Sequence, residues 1–165
     1  MEPRSWTQCW AGPRGMAAQL TVIADTDALD NTRGVITGPL HVRVRDLVFP
    51  EESWNDSPVI VLSWWAKECA NLRARELATF AFMDGSLAFS VRPQTGTDAI
   101  VEFTRDADAD WVVFATATVE APRVMDAVLD AGRKVLAVCR QRSWSTPEID
   151  ELAASIEEAS RPAAR

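Results

Sequence analysis

The chain has 165 residues, with 24 Asp and Glu against 17 Lys and Arg, a net charge of −7. That length suits one domain with its own core, and the acidity disfavours general binding to phosphate backbones. No apolar run approaches the ~20 residues of a membrane helix, and no continuous apolar stretch marks a secretory leader.

Three cysteines, Cys9, Cys69 and Cys139, are odd in number, far apart and without a C-x-x-C pair. They point to a reducing, cytoplasmic compartment rather than a disulfide or zinc framework. Residues 1–16 hold Pro3, Gly12, Pro13 and Gly15 without periodicity. They read as a flexible tail, with Met16 an alternative start. Residues 17–160 read as a single α+β domain and residues 161–165 as a frayed end.

Residues 19–24 are a short β-rich run, followed by a polar turn region from Asp25 to Gly34. From Leu40 the pattern alternates: Leu40, Val42 and Val44 point one way, His41, Arg43 and Arg45 the other. This predicts one strand with a buried and a wet face, running on towards Phe49 and stopping at Pro50. Ser57 and Pro58 then open a helix, whose stripe is Leu62, Trp65, Cys69 and Leu72.

Residues 79–91 predict a hairpin around Asp84-Gly85 in a two-residue turn with both φ positive. In that register Phe82 opposes Leu87 and Phe80 opposes Phe89, all on one face. Residues 99–104 and 111–119 are two further strands, separated by an acidic loop holding Asp106, Asp108 and Asp110. Pro122 opens a helix with inner stripe Met125, Val128, Gly132, Val135 and Cys139. Gly132 in that stripe predicts a close approach by a neighbouring element. Thr146 and Pro147 start the last helix, with Ile149, Leu152, Ala153 and Ile156 inward and acids from Glu148 to Glu158 outward. The order ββαββββαα predicts a single antiparallel sheet of about six strands with helices on one face.

His41 is the sole histidine, so a histidine-dependent nucleophilic mechanism must use it. On the wet face it reads instead as a surface histidine. His41, Arg43 and Arg45 form a basic stripe, either an anion or acidic-partner site or a set of cross-strand partners for acids such as Glu102. Asp25, Asp27 and Asp30 lack the glycine and bidentate Glu of a calcium loop. No Gly-rich phosphate loop, nucleophile elbow or zinc-protease motif is present, so no catalytic residue, cofactor or metal is expected. There are seven Trp and no Tyr. Trp64 and Trp65 are adjacent, so one of them is displaced from the core; with Trp54 it is an interface candidate. Glu148, Asp150 and Glu151 form an acidic helix face that suits a basic partner.

The stretch GPLHVRVRDLVFPEE, the helix with Trp64-Trp65 and the hairpin FMDGSLAFSV resemble a group of small bacterial proteins of unknown function. The composition, rich in Ala, Arg and Asp, is actinobacterial in look. Some families of this plan are similar to immunity proteins of polymorphic toxin systems. The resemblance lies in the order of elements over residues 20–156 and carries over no site residue. Together with the absence of catalytic groups, the acidic charge and the surplus of Trp, it suggests a cytoplasmic, non-enzymatic binding protein with a basic, toxin-like protein partner. Two other readings stand beside it. One is a small enzyme or ligand-binding domain with a carboxylate or arginine site between sheet and helices. The other is a homo-oligomeric structural protein, with Ala81, Met83 and Ala88 on a free sheet face and a homodimer as the simplest form.

Overall fold

The computed structural model describes residues 16–108 and 110–163. The tail read over residues 1–16 falls outside them apart from Met16, and so do Cys9 and the last two residues.

The first half of the chain is organised around one long strand. β1 (Leu20–Ala24) and β2 (Asp30–Thr32) precede β3 (Val35–Val44), and β4 (Leu47–Phe49) and β5 (Asn55–Asp56) follow it. All four short strands pair antiparallel with β3. Leu40, Val42 and Val44 are buried as their alternation predicts. β2 and β3 are joined at Thr32↔Val35 by Arg33-Gly34, with φ of 54° and 87°. Two successive left-handed residues are what a two-residue hairpin matching strand twist requires. A second turn separates β3 from β4, with Arg45 at φ 54°.

The helix α1 (Pro58–Arg73) leads to a second sheet of β6 (Ala78–Ala81), β7 (Leu87–Pro93), β8 (Asp98–Ala107) and β9 (Asp110–Glu120). These four run as an antiparallel meander in chain order. The chain closes with α2 (Ala121–Gln141) and α3 (Pro147–Ser160).

The predicted α+β class and antiparallel pairing hold, but the single six-stranded sheet does not. There are two sheets, of five and four strands. Two of the additional strands come from polar or very short segments, β2 and β5, that have no alternation to detect. Another comes from the turn at Arg45, which splits the strand expected to run from Leu40 to Phe49. Just before β1, Ala18 joins the sheets through the backbone: its N–H donates to the Thr118 carbonyl at 2.8 Å beside a parallel bridge to Val119. The expected acidic loop is also shorter than read, because Asp106 lies in β8 and Asp110 in β9.

The core sits on one face of the second sheet. Phe80, Phe82, Phe89, Val91, Val101 and Phe103 are buried there. Trp65 of α1 packs edge-on against Phe80, Phe82 and Phe89, with centroids 5.1–6.1 Å away, the geometry the ring quadrupoles favour. Phe49 of β4 reaches the same face and touches Phe82, Phe103 and Phe114. The helices α2 and α3 pack on α1 and on each other. At Gly132 an added Cβ would stand 2.8 Å from Ile156 Cδ1, which is the close approach its position predicts.

The predicted register of the β6–β7 hairpin is observed, with Phe80 opposite Phe89 and Ala81 opposite Ala88. The turn type is not. Neither Asp84 nor Gly85 has positive φ. Instead the Asp84 carboxylate accepts the Ser86 N–H and hydroxyl, and the Leu87 N–H donates to the Asp84 carbonyl. Local side-chain bonding of this kind offers Asp an alternative to the left-handed turn.

The free edge of β6 is capped by side chains. Thr79 N–H donates to Glu68 at 3.1 Å, and the Trp65 indole N–H donates to the Ala81 carbonyl at 2.7 Å. Just beyond the strand, Met83 N–H donates to Asp56 at 3.3 Å. Edge strands that would otherwise template pairing are blunted in this way.

Candidate functional site

The basic stripe read from β3 is dispersed in the structure. His41 is only 7% exposed, not on a wet face, and neither ring nitrogen has a hydrogen-bond partner among the described residues. Burial, and then the charge of Arg43, hold its pKa below the usual 6.5, with Glu52 pulling weakly the other way. Arg43 pairs with Glu52 at 2.9 Å. The expected partner Glu102 instead lies in the second sheet, opposite Ser90 and Thr116. Arg45 is in the β3–β4 turn, where its guanidinium donates to the Met16 carbonyl.

The tryptophans separate as the helix period demands. Trp65 is fully buried, while Trp64 is 40% exposed on the outer side of α1. Trp54 is half-buried, packs on the core and donates its indole N–H to Asp56 at 3.0 Å, so it is a structural residue rather than a free anchor.

The acids of α3 divide. Glu151 is paired with Lys67 of α1, and Glu157 and Glu158 share Arg161. The carboxylates of Glu148 and Asp150 make no ion pair or side-chain hydrogen bond among the described residues. Both stand in the first turn of α3, where the helix dipole stabilises negative charge without neutralising it.

A shallow groove opens beside Glu148. Its lining includes Val35 and Ile36 from β3, Val59 and Ile60 from the first turn of α1, and Thr146 and Glu148 at the start of α3. Local rules put these pieces together. The Arg33-Gly34 turn presents Val35, which is 60% exposed. Pro58 and Pro147 begin the two helices, and the Thr146 side chain accepts the Ile149 N–H to cap α3. Trp64 follows Ile60 by four residues and so lies next to it on the same helix face. The result is an apolar ledge of Val35 and Ile60, extended along α1 by Trp64, with the Glu148 carboxylate at its rim; Asp150, two residues on, projects from another side of α3. Sequence reasoning found Trp64 and the acids but missed Val35 and Ile60. The signal for Val35 was the Arg33-Gly34 dipeptide, which lay inside a segment read as a plain turn.

A second, open groove lies between the end of β4 and the second sheet, lined by Phe49, Pro50, Leu87, Arg105 and Phe114. It brings one arginine and no carboxylate to that side of the sheet. Burial pushes the Cys69 thiol up to about 12 and raises Cys139 as well, so both stay protonated and unreactive at neutral pH. The Asp25 carboxylate accepts the N–H groups of Asp27 and Ala28, shaping a turn. Among the described residues no three His, Cys, Asp or Glu gather as a metal site, and no helix is long and apolar enough to cross a membrane.

The chain matches no protein-family model, no curated protein and no solved structure in the comparisons with known proteins. The functional reading therefore rests on the ledge and its charges.

Proposed function

We propose that this chain is a non-enzymatic binding protein of a reducing compartment that docks a basic protein partner, in the manner of an immunity or antitoxin-like inhibitor. The observation that carries this reading is the juxtaposition of Val35 and Ile60 with Glu148 in one groove, beside Trp64 on the same face of α1 and with Asp150 in the same first turn of α3. An aromatic and aliphatic centre supplies the burial that dominates binding energy. The acidic rim selects and steers a partner rich in Lys and Arg, and the net charge of −7 adds a long-range field of the same sign.

The test compares the native chain with a Glu148→Lys/Asp150→Lys variant as baits on the same lysate, at low and high salt. Two cations in the first turn of α3 cost the helix about 0.3–1 kcal/mol each, so circular dichroism of the variant, expected to match the native chain, accompanies the comparison. A basic protein is expected on the native bait, lost on the variant and lost at high salt. If the same proteins are retained by both baits, at both salt concentrations, the acid-rimmed ledge is not the docking surface. Co-expression with a captured toxin then separates an inhibitor, which restores growth, from a binder of another kind.

A further inference from the structure

The two outer strands of the second sheet are treated in opposite ways. Side chains from α1 and from the residues just before it cap β6. On the outer edge of β9 the backbone partner among the described residues is Ala18, near the C-terminal end of the strand. The rest of that edge carries the segment Trp111-Val112-Val113, with exposures of 56%, 41% and 46%. Charge is absent from the edge between Asp110 and Glu120, so none of the usual gatekeepers interrupts it.

Backbone geometry shows which groups are available. Ala107 pairs with Asp110 at the closed end of the β8–β9 hairpin, and Asp106 with Trp111, Arg105 with Val112 and Thr104 with Val113 follow. Antiparallel partners alternate between hydrogen-bonded and open pairs. The pair closing the hairpin is bonded, so the N–H and C=O groups of Trp111 and Val113 point away from β8 into solvent. The bulge between Phe103 and Thr104 ends this stretch at Phe114.

We propose that β9 pairs antiparallel with β9 of a second copy of this chain, about a two-fold axis at Val112, joining two four-stranded sheets into one of eight. The occupant is a second copy because the segment is complementary to itself in that register. Trp111 then exchanges backbone hydrogen bonds with Val113 of the other copy and packs beside it on the outer face. Val112 meets its own counterpart on the inner face. All three exposed apolar side chains are covered at once, a self-matching patch of the kind a two-fold interface needs. The charges permit it. The two Asp110 carboxylates lie about four residues apart along the paired strands, roughly 14 Å at the rise of a strand, beyond the ~8 Å over which physiological salt leaves charges interacting. This interface is separate from the acid-rimmed ledge and stands whether or not that ledge binds a basic protein.

Sedimentation or light scattering of the native chain over rising concentration is expected to show the mass moving from one copy to two, in the high-micromolar to millimolar range that suits a small interface. Val112→Lys sets two ammonium groups face to face on the axis and is expected to hold the chain monomeric. Its circular dichroism should be unchanged, because Val112 is a surface residue. Open antiparallel pairs bring Cα atoms to about 4.5 Å, within disulfide reach. Cys9→Ser/Val112→Cys is therefore expected to form an inter-chain disulfide under mild oxidation far faster than Cys9→Ser/Val35→Cys. A native chain that stays monomeric throughout overturns the proposal, and so do equal cross-linking rates for the two cysteine positions. A dimer that survives Val112→Lys shows that copies meet elsewhere and overturns it as well.

Discussion

The ring nitrogens of His41 are both out of water and without a hydrogen bond among the described residues. An unsatisfied buried polar group costs about 1–3 kcal/mol, whereas an apolar replacement of similar shape is close to neutral. His41→Leu is therefore expected to match or exceed the native chain in stability by up to about 1 kcal/mol at neutral pH. The pH dependence follows from the lowered pKa. Above the ordinary value of 6.5 the ring is neutral in both states and contributes no slope. Below it the unfolded chain takes up a proton that the folded chain resists, so stability falls as pH drops towards the folded value. Urea midpoints at about pH 7.5 and about pH 5.5 should separate for the native chain and draw together for His41→Leu. An unchanged separation would place the acid sensitivity in other groups. The alternation of β3 was legible at Leu40, Val42 and Val44, but their opposite face was not. Alternation says which residues share a side, not whether further chain covers the other side.

At the scale of elements, α2 and α3 approach closely at Gly132. Gly132 costs its helix about 1 kcal/mol relative to alanine, yet its Cβ would meet Ile156 Cδ1 at 2.8 Å and Cγ1 at 3.3 Å. Overpacking of a buried site costs about 1–3 kcal/mol, so Gly132→Ala is expected to be destabilising on balance. Ile156→Val removes Cδ1 and alone costs about 0.5–1.5 kcal/mol. In the Gly132→Ala background it should cost less, because it relieves the crowding. Additive losses in a double-mutant cycle would show that the two side chains do not compete for the space. This contact could be read from sequence because a glycine inside an apolar helical stripe has few other uses. The β6–β7 hairpin was legible in register for a related reason: a one-residue slip turns Phe80, Phe82, Leu87 and Phe89 to the wrong side. Its turn was not, since Asp84 has two ways to close a loop and the dipeptide does not choose between them. The left-handed pair that Asp84-Gly85 suggested occurs at Arg33-Gly34 instead.

For the molecule as a whole, the helices and the long strands announced themselves by period, while the division into two sheets did not. Strand pairing joins residues far apart in sequence, and Ala18 beside Val119 leaves no local trace. Part of the candidate ledge was legible for the same reason that the helices were. Trp64 stands off the stripe that carries Trp65, and the acids stand off the stripe of Ile149, Leu152 and Ile156. Val35 came into play only once β2 existed to support it.

The capping of β6 by Glu68 sets a limit on how far copies of this chain can grow together. A molecule with one adhesive margin makes a pair and stops, while one with two can tile without end. Glu68→Ala bares the Thr79 amide, and concentrated solutions of it should scatter more light and settle as larger particles than the native chain. Equal clarity would mean that the remaining indole and aspartate at that margin are guard enough.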